Sequence, residues 1–123
     1  MRLGLRSVVL ACALLPVAAQ AMTVEAFLAK ADALKAKGLF AVGSSDITLL
    51  RQEIMTASDA YRARLAAAAA AGRKPTSCPP PKGTAKIGSN DILAEFKALP
   101  PAKRNISVQT AFSAMMERRY PCK

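Results

Sequence analysis

The residues of this sequence whose side chains could take part in chemistry most readily are its cysteines, Cys12, Cys78 and Cys122. Cys12 lies in an N-terminal segment with the features of an export signal, so the mature chain is expected to keep the other two. In an oxidising compartment, two cysteines in a small domain most simply form a disulfide. The sequence therefore predicts a bridge between Cys78 and Cys122, with intermolecular pairing or a free thiol as the alternatives.

The N-terminus carries the three parts of a cleavable signal peptide. Arg2 and Arg6 form its positive region, residues 7–19 are an apolar stretch, and Ala19-Gln20-Ala21 fits the small-x-small rule for cleavage. We expect a signal peptide over residues 1–21 and a periplasmic mature chain, residues 22–123, that forms a single helical domain.

Two alternatives to cleavage fit the sequence less well. A membrane anchor needs about 20 apolar residues, and Gln20, Thr23 and Glu25 end the apolar run too soon, so no transmembrane anchor is expected. A lipoprotein would be acylated at Cys12, but this cysteine follows Arg6 after only a short apolar stretch.

Side chains that usually perform catalysis are scarce. The sequence has no His, which excludes a Ser-His or Cys-His nucleophile and the usual zinc cluster, and bridged cysteines offer no thiolate. Asp91 and Glu95 lie four residues apart and could share one helix face, but carboxylates in the first turns of a helix ordinarily compensate the helix dipole. We therefore expect a protein that is not an enzyme and has no cofactor and no metal.

The elements that must position the cysteines are helices, because the mature chain has helical periodicity and no convincing strand alternation. We predict an all-α fold of four helices with one disulfide. The first helix is capped by Thr23, runs to Lys37 and stops at Gly38. The apolar connector 39–42 is expected to be buried against the core, with a partner-binding patch as the alternative.

The second helix is predicted to be long, about 46–71, and to open at Ser44, Ser45 and Asp46. Its end, residues 66–71, is all alanine and has little area to bury, so we expect it to project or fray. The buried stripe of this helix is predicted to contain Ile47, Leu50, Ile54, Ser58, Tyr61 and Leu65.

Residues 73–88 are rich in proline and glycine and predict a loop pinned by Cys78. The third helix is capped by Ser89, Asn90 or Asp91, and the fourth follows Ser107. The disulfide is expected to staple both helices within the segment 78–122. Their apolar faces are Ile92, Leu93, Phe96 and Leu99 in the third helix, and Val108, Ala111, Phe112, Met115 and Met116 in the fourth.

Positive charge is concentrated in the second half of the mature chain. Residues 22–71 contain six basic and five acidic side chains, whereas residues 72–123 contain ten and three. The export signal and the lack of a basic-aromatic module argue against nucleic acid, so the charge is expected to serve an anionic partner in the envelope or simply solubility. The candidate anionic-partner surface consists of Arg73, Lys74, Lys82, Lys86, Lys97, Lys103, Arg104, Arg118 and Arg119.

The segment from Cys78 to Cys122 resembles the C-terminal half of the Rap/Tai-type immunity family of type VI secretion. The likeness rests on Cys78-Pro79-Pro80, Ile92-Leu93-Ala94-Glu95-Phe96, Pro101-Ala102-Lys103-Arg104, Ala111-Phe112-Ser113-Ala114-Met115-Met116 and Tyr120-Pro121-Cys122. Members are exported all-helical proteins that neutralise peptidoglycan amidases, so the resemblance implies a protein that occludes such an enzyme. The second cysteine pair usual in the family, which links its first two helices, has no counterpart in residues 22–71.

Three functions therefore stay open. The first is a periplasmic immunity-type protein that binds a wall amidase, as a monomer or as a homodimer. The second is an acid-stress chaperone-like protein, whose switch would depend on eight carboxylates that titrate near pH 4, because there is no His. The third is an envelope adaptor that binds its partner through the basic half.

Overall fold

Four helices follow one another within residues 21–123, as the helical periodicity predicts. The computed structural model describes residues 21–123, in which α1 (Val24–Lys37), α2 (Ser45–Ala70), α3 (Ser89–Ala98) and α4 (Val108–Arg119) are joined by loops and two short 3₁₀ turns. The all-α prediction is confirmed, and the only extended pairing among these residues is an isolated bridge between Thr23 and Ser107. The predicted signal peptide falls outside the described range, apart from its last residue.

Hydroxyl side chains cap three of the four helices. Thr23 before α1 and Ser107 before α4 each accept a hydrogen bond from the backbone N–H three residues later, at 3.1 Å in both cases. Ser44 accepts from the N–H two residues later at 3.3 Å. These bonds satisfy amides that have no partner inside the helix. Thr23 and Ser107 were predicted as caps, and Ser44 was one of three residues predicted to open α2.

The predicted cap of α3 is wrong. Ser89 and Asn90 are already helical, and the capping residue is Gly88. Asp91 lies at the third helical position, where its Oδ2 accepts a hydrogen bond from the backbone N–H of Gly88 at 2.8 Å. A carboxylate at this position reaches back to the capping amide and also interacts favourably with the helix dipole. The helix α3 can therefore begin after a glycine, which has no capping side chain.

The alanine-rich end of α2, predicted to project or fray, stays helical as far as Ala70, and all of residues 66–71 except Ala68 are exposed. The N–H of Arg73 donates to the carbonyl of Ala68 at 2.9 Å, and the N–H of Gly72 donates to the carbonyl of Ala69 at 3.1 Å. Together with the positive φ of Gly72, 69°, these bonds form a Schellman motif. This cap and the high helix propensity of alanine hold the end without large packing contacts.

All four helices contribute to one core. Two edge-to-face aromatic pairs lie in it: Phe27 with Phe96, with ring centroids 5.4 Å apart, and Tyr61 with Phe112, 6.2 Å apart. The predicted inward face of α4 is confirmed, because all five of its residues are buried. The core consists of Val24, Phe27, Leu28, Leu50, Ala57, Tyr61, Ile92, Phe96, Val108, Ala111, Phe112, Met115 and Met116.

The predicted stripe of α2 is only partly buried. Leu50 and Tyr61 are buried, but Ile47 and Ile54 are half-buried, and the fully buried Ala57 was not predicted. The reason is that α4 packs on α2 around Tyr61, while the N-terminal half of α2 borders a groove that no α4 residue lines.

The start of α1 is tied to the segment that precedes α4. The N–H groups of Val24 and Glu25 donate to the carbonyls of Ile106 and Arg104, both at 2.9 Å. Amides in the first turn of a helix lack intrahelical acceptors, so these bonds satisfy two of them and fix α1 against the α3–α4 connection. Within residues 21–123, no helix combines the length and apolar character needed to cross a bilayer.

Candidate functional site

The disulfide forms between Cys78 and Cys122 as predicted and joins the loop after α2 to the end of the chain. The backbone N–H of Cys78 donates to the carbonyl of Tyr120 at 2.8 Å, beside the bridge. Both cysteines are bonded to each other and therefore supply no thiolate for chemistry. The bridge is a structural staple, and functional surfaces must be sought elsewhere.

Ser77, beside the bridge, is buried and belongs to a hydrogen-bond network that was not predicted. Its Oγ lies 2.9 Å from the carbonyl oxygen of Tyr120 and 2.7 Å from the hydroxyl of Tyr61. Because a carbonyl can only accept, Ser77 donates to Tyr120 and accepts from Tyr61. The network links α2, the loop and the end of α4, and the sequence has no His that could activate Ser77 as a nucleophile. The sequence signal that could have found Ser77 is its position next to Cys78, because the disulfide with Cys122 brings both residues to the end of α4.

Four of the nine predicted basic residues are held in ion pairs between segments. Such exposed pairs contribute little to stability, but they reduce the free positive charge that a partner would meet. The pairs are Lys82 with Asp59 at 2.9 Å, Lys97 with Asp32 at 3.4 Å, Arg118 with Glu95 at 2.8 Å, and Arg119 with Asp91 at 3.6 Å.

A fifth predicted residue, Arg104, has a structural role. Its Nε donates to the carbonyl of Leu99 at 2.9 Å, and its Nη2 donates to the carbonyl of Lys97 at 2.8 Å. The last carbonyls of a helix have no intrahelical donors, and a cationic side chain there is favourable. Arg104 thus caps the C-terminal end of α3.

Two further predicted residues, Arg73 and Lys74, meet in a basic crevice of about 350 Å³. Arg64 lines the same crevice and donates to the hydroxyl of the buried Ser113, and Glu117 supplies a carboxylate. Among residues 21–123, neither Arg73 nor Lys74 has a carboxylate within ion-pair distance. The crevice therefore contains two of the nine predicted anionic-partner residues, both free of ion pairs within that range.

The remaining two, Lys86 and Lys103, are exposed and do not line the basic crevice. Lys86 lies in the loop before α3, and Lys103 ends the 3₁₀ turn Pro101–Lys103. The nine residues therefore do not form a single patch.

Two residues of the apolar connector 39–42 are not buried as predicted, and the side chain of Phe40 lies outside what the structure describes. Leu39 is 90% exposed and Val42 is 81% exposed, whereas Ala41 is buried. The 3₁₀ turn Gly38–Ala41 closes the α1–α2 hairpin beyond the core, so Ala41 alone of these three faces inward. The N–H of Val42 donates to the carbonyl of Leu39 at 3.4 Å, which keeps both residues in one turn. We call Leu39 and Val42 the apolar tip.

An apolar groove of about 470 Å³ lies between α1, the first half of α2 and the start of α3. Its polar lining residues are Arg51 and Ser89, and no member of the apolar tip lines it. Met55, on its rim, is 60% exposed. The apolar lining includes Leu34, Ile47, Leu50, Ile54, Met55 and Leu93.

The two carboxylates considered for acid/base chemistry share a cation. Arg119 lies 3.6 Å from Asp91 and 4.0 Å from Glu95, and Arg118 also pairs with Glu95. In residues 21–123 no group of three or more His, Cys, Asp or Glu side chains could hold a metal ion. Every buried side-chain polar atom of that range has a hydrogen-bond partner.

The fold and these surfaces define a small all-α protein with one disulfide, an apolar tip, an apolar groove and a basic crevice. Comparison of the chain with protein-family models, curated proteins and solved structures gives no match. The likeness of residues 78–122 to amidase-immunity proteins therefore stays an expectation drawn from the sequence.

Proposed function

We propose that this chain is an exported binding protein without catalytic activity, and that it recognises a protein partner in the cell envelope through the apolar tip. The observation that carries the proposal is the exposure of Leu39 and Val42, at 90% and 81%. Burying one such side chain is worth about 1.5–3 kcal/mol. Two of them presented together on a hairpin end therefore favour a docking role.

The backbone around the apolar tip supports this role. Gly38 and Gly43 flank the tip with φ values of 56° and 90°, which residues other than glycine rarely adopt. These two residues let the chain turn sharply on either side of the tip. The tip therefore projects from the end of the α1–α2 hairpin, where a concave partner surface can receive it.

The candidate partner is a peptidoglycan amidase, because the segment from Cys78 to Cys122 resembles amidase-immunity proteins. In this proposal the tip enters the cleft of the enzyme and blocks access of the wall substrate, with no chemistry of its own. The disulfide and the Ser77 network hold α2 and α4 in place behind the α1–α2 hairpin. Periplasmic location follows from the predicted signal peptide.

The test is inhibition of wall amidases by the protein, expressed from the full sequence and purified without reductant. A cognate amidase should be inhibited stoichiometrically and recovered in a pull-down. The double variant Leu39→Asp with Val42→Asp should lose at least tenfold in affinity, because it places two charges in the interface. Leu49→Asp is the matched control, since Leu49 is a partly exposed residue of α2 outside the tip.

Other results would redirect the proposal. Equal binding by the double variant and wild type would show that the apolar tip is not the interface. Recovery of many unfolded clients only at low pH would favour the chaperone-like function. An acidic envelope partner whose binding is lost on charge reversal of Arg73 and Lys74 would favour the adaptor, which the basic crevice supports.

A further inference from the structure

We infer that the apolar groove binds a single-chain anionic amphiphile, a long-chain fatty acid, with its aliphatic chain against α1 and α2 and its carboxylate at Arg51. The site goes beyond the proposed function, because the apolar tip does not line the groove. Three observations carry the inference: the apolar lining, the volume, and the position of one cation.

The lining of the groove suits an aliphatic chain. Leu34, Ile47, Leu50 and Ile54 face it from two helices, and the lining drawn from residues 21–123 has two polar members, Arg51 and Ser89. Concave, mostly apolar sites with a few placed polar groups are the usual form of small-molecule sites. Met55 on the rim has an unbranched, adaptable side chain that can close over a flexible ligand.

The volume of the groove fits one long chain. A dry protein cavity of about 150 Å³ holds one benzene molecule, with six carbon atoms. A groove of about 470 Å³ is three times as large, so it has room for an aliphatic chain much longer than six carbon atoms.

Arg51 sets the charge of the head group. It is exposed and, among the lining residues that belong to the described part of the chain, it is the only charged one. Within residues 21–123 it forms no ion pair and no side-chain hydrogen bond. A guanidinium at the edge of an apolar surface binds a carboxylate through two parallel hydrogen bonds, and the hydroxyl of Ser89 is a further donor in the same groove.

A partner helix fits the groove less well than a fatty acid. A helix with its side chains is about 10–12 Å across and lays only one face into a groove, so most of a bound helix would lie outside a groove of about 470 Å³. Helices that bind in grooves are held by anchors from position i to i+7, which span about two turns. A flexible chain with a terminal carboxylate matches both the size and the single cation.

The first experiment titrates the full chain, purified without reductant, with dodecanoate and hexadecanoate by isothermal titration calorimetry. One-to-one binding is expected, tighter for hexadecanoate because more methylene groups leave water. Dodecanol is the uncharged match for dodecanoate. Arg51→Gln should weaken dodecanoate binding about tenfold or more, the effect of one charge-assisted contact, and leave dodecanol binding unchanged.

The second experiment locates the site. Met55→Asp places a negative charge at the rim of the groove and should abolish binding, whereas Leu49→Asp, on the same helix but outside the lining, should not. Circular dichroism melts verify that both variants fold. The tip variant Leu39→Asp with Val42→Asp should bind fatty acid normally, which separates this site from the proposed protein interface.

The inference is overturned by any of four results. The first two are no saturable binding of fatty acid by the wild type, and equal loss of binding in Met55→Asp and Leu49→Asp. The third is an unchanged dodecanoate affinity in Arg51→Gln. The fourth is that the groove binds an amphipathic peptide and does not bind fatty acid. The last result would assign the groove to a protein partner.

Discussion

The hydroxyl groups of Tyr61 and Ser77 lie 2.7 Å apart at a buried junction between α2, the loop after it and the end of α4. Their residues are only 2% and 1% exposed. The carbonyl of Tyr120 accepts from both the Ser77 hydroxyl and the Cys78 amide, at 2.9 and 2.8 Å. The disulfide therefore closes a junction that hydrogen bonds already define.

Ser77→Ala should lower the free energy of unfolding by about 1–3 kcal/mol, because it leaves the buried hydroxyl of Tyr61 without its acceptor. Combining it with Tyr61→Phe should cost less than the sum of the two changes, since both remove the same hydrogen bond. Urea unfolding measures both effects. The control is Thr84→Ala, which removes an exposed hydroxyl that donates to Pro81 and should change stability by about 0.5 kcal/mol or less. Equal effects of Ser77→Ala and Thr84→Ala would show that the network contributes nothing.

Cys122→Ser should lower the free energy of unfolding by about 2–5 kcal/mol. The bridge spans a sequence separation of 44 residues, so it removes much conformational freedom from the unfolded chain. Urea unfolding without reductant gives the difference. Reductant should lower the stability of the wild type by a similar amount and leave the variant unaffected. A wild type that melts identically with and without reductant would disprove the prediction.

Most of the fold could be predicted because its signals are local. Thr23, Ser44 and Ser107 cap their helices through backbone amides two or three residues away, and Gly38 and Gly72 end helices through their own φ values. Short-range chemistry of this kind is present in the sequence. The cap of α3 was missed because three stronger capping residues follow Gly88, and only the backbone shows that Asp91 reaches back from inside the helix.

The candidate sites were harder to predict because they depend on contacts between distant segments. Leu39 and Val42 are apolar and so predict burial, but their exposure follows from where the hairpin ends relative to the core. Ile47 and Ile54 have the spacing of core residues, yet they line a groove because α4 does not reach them. The basic residues also gave no sign that Arg104 would be used as a helix cap.

Reversing the charges of Arg118 and Arg119 to Glu should lower stability by about 1 kcal/mol at low salt, because the new carboxylates would face Asp91 and Glu95. The loss should shrink as salt is added, since added ions screen exposed charges. Unfolding at two salt concentrations measures the effect. The control reverses Lys86 and Lys103, which changes the net charge equally but breaks none of these pairs. A salt-independent loss, or an equal loss in the control, would contradict the prediction.

The same double variant should slow association with any acidic partner of the basic half. Long-range attraction acts mainly on the association rate and on its salt dependence. Surface plasmon resonance with the native partner gives both rates. An effect confined to dissociation would show that these arginines make close contacts in the complex and do not act by steering.

Two glycines at helix ends should respond to substitution in opposite directions. Gly72 follows α2 with a φ of 69°, and a side chain there costs about 1–2 kcal/mol in the left-handed region, so Gly72→Ala should lower the melting temperature. Gly88 caps α3 with an ordinary φ of −98°, and an added Cβ meets only Asp91 Oδ2 at 3.6 Å. Gly88→Ser should therefore stabilise by a few tenths of a kcal/mol, because its hydroxyl can accept from a first-turn amide. Thermal melts of both variants check the signs. A destabilised Gly88→Ser would mean that the serine hydroxyl competes with the Asp91 carboxylate at the start of α3.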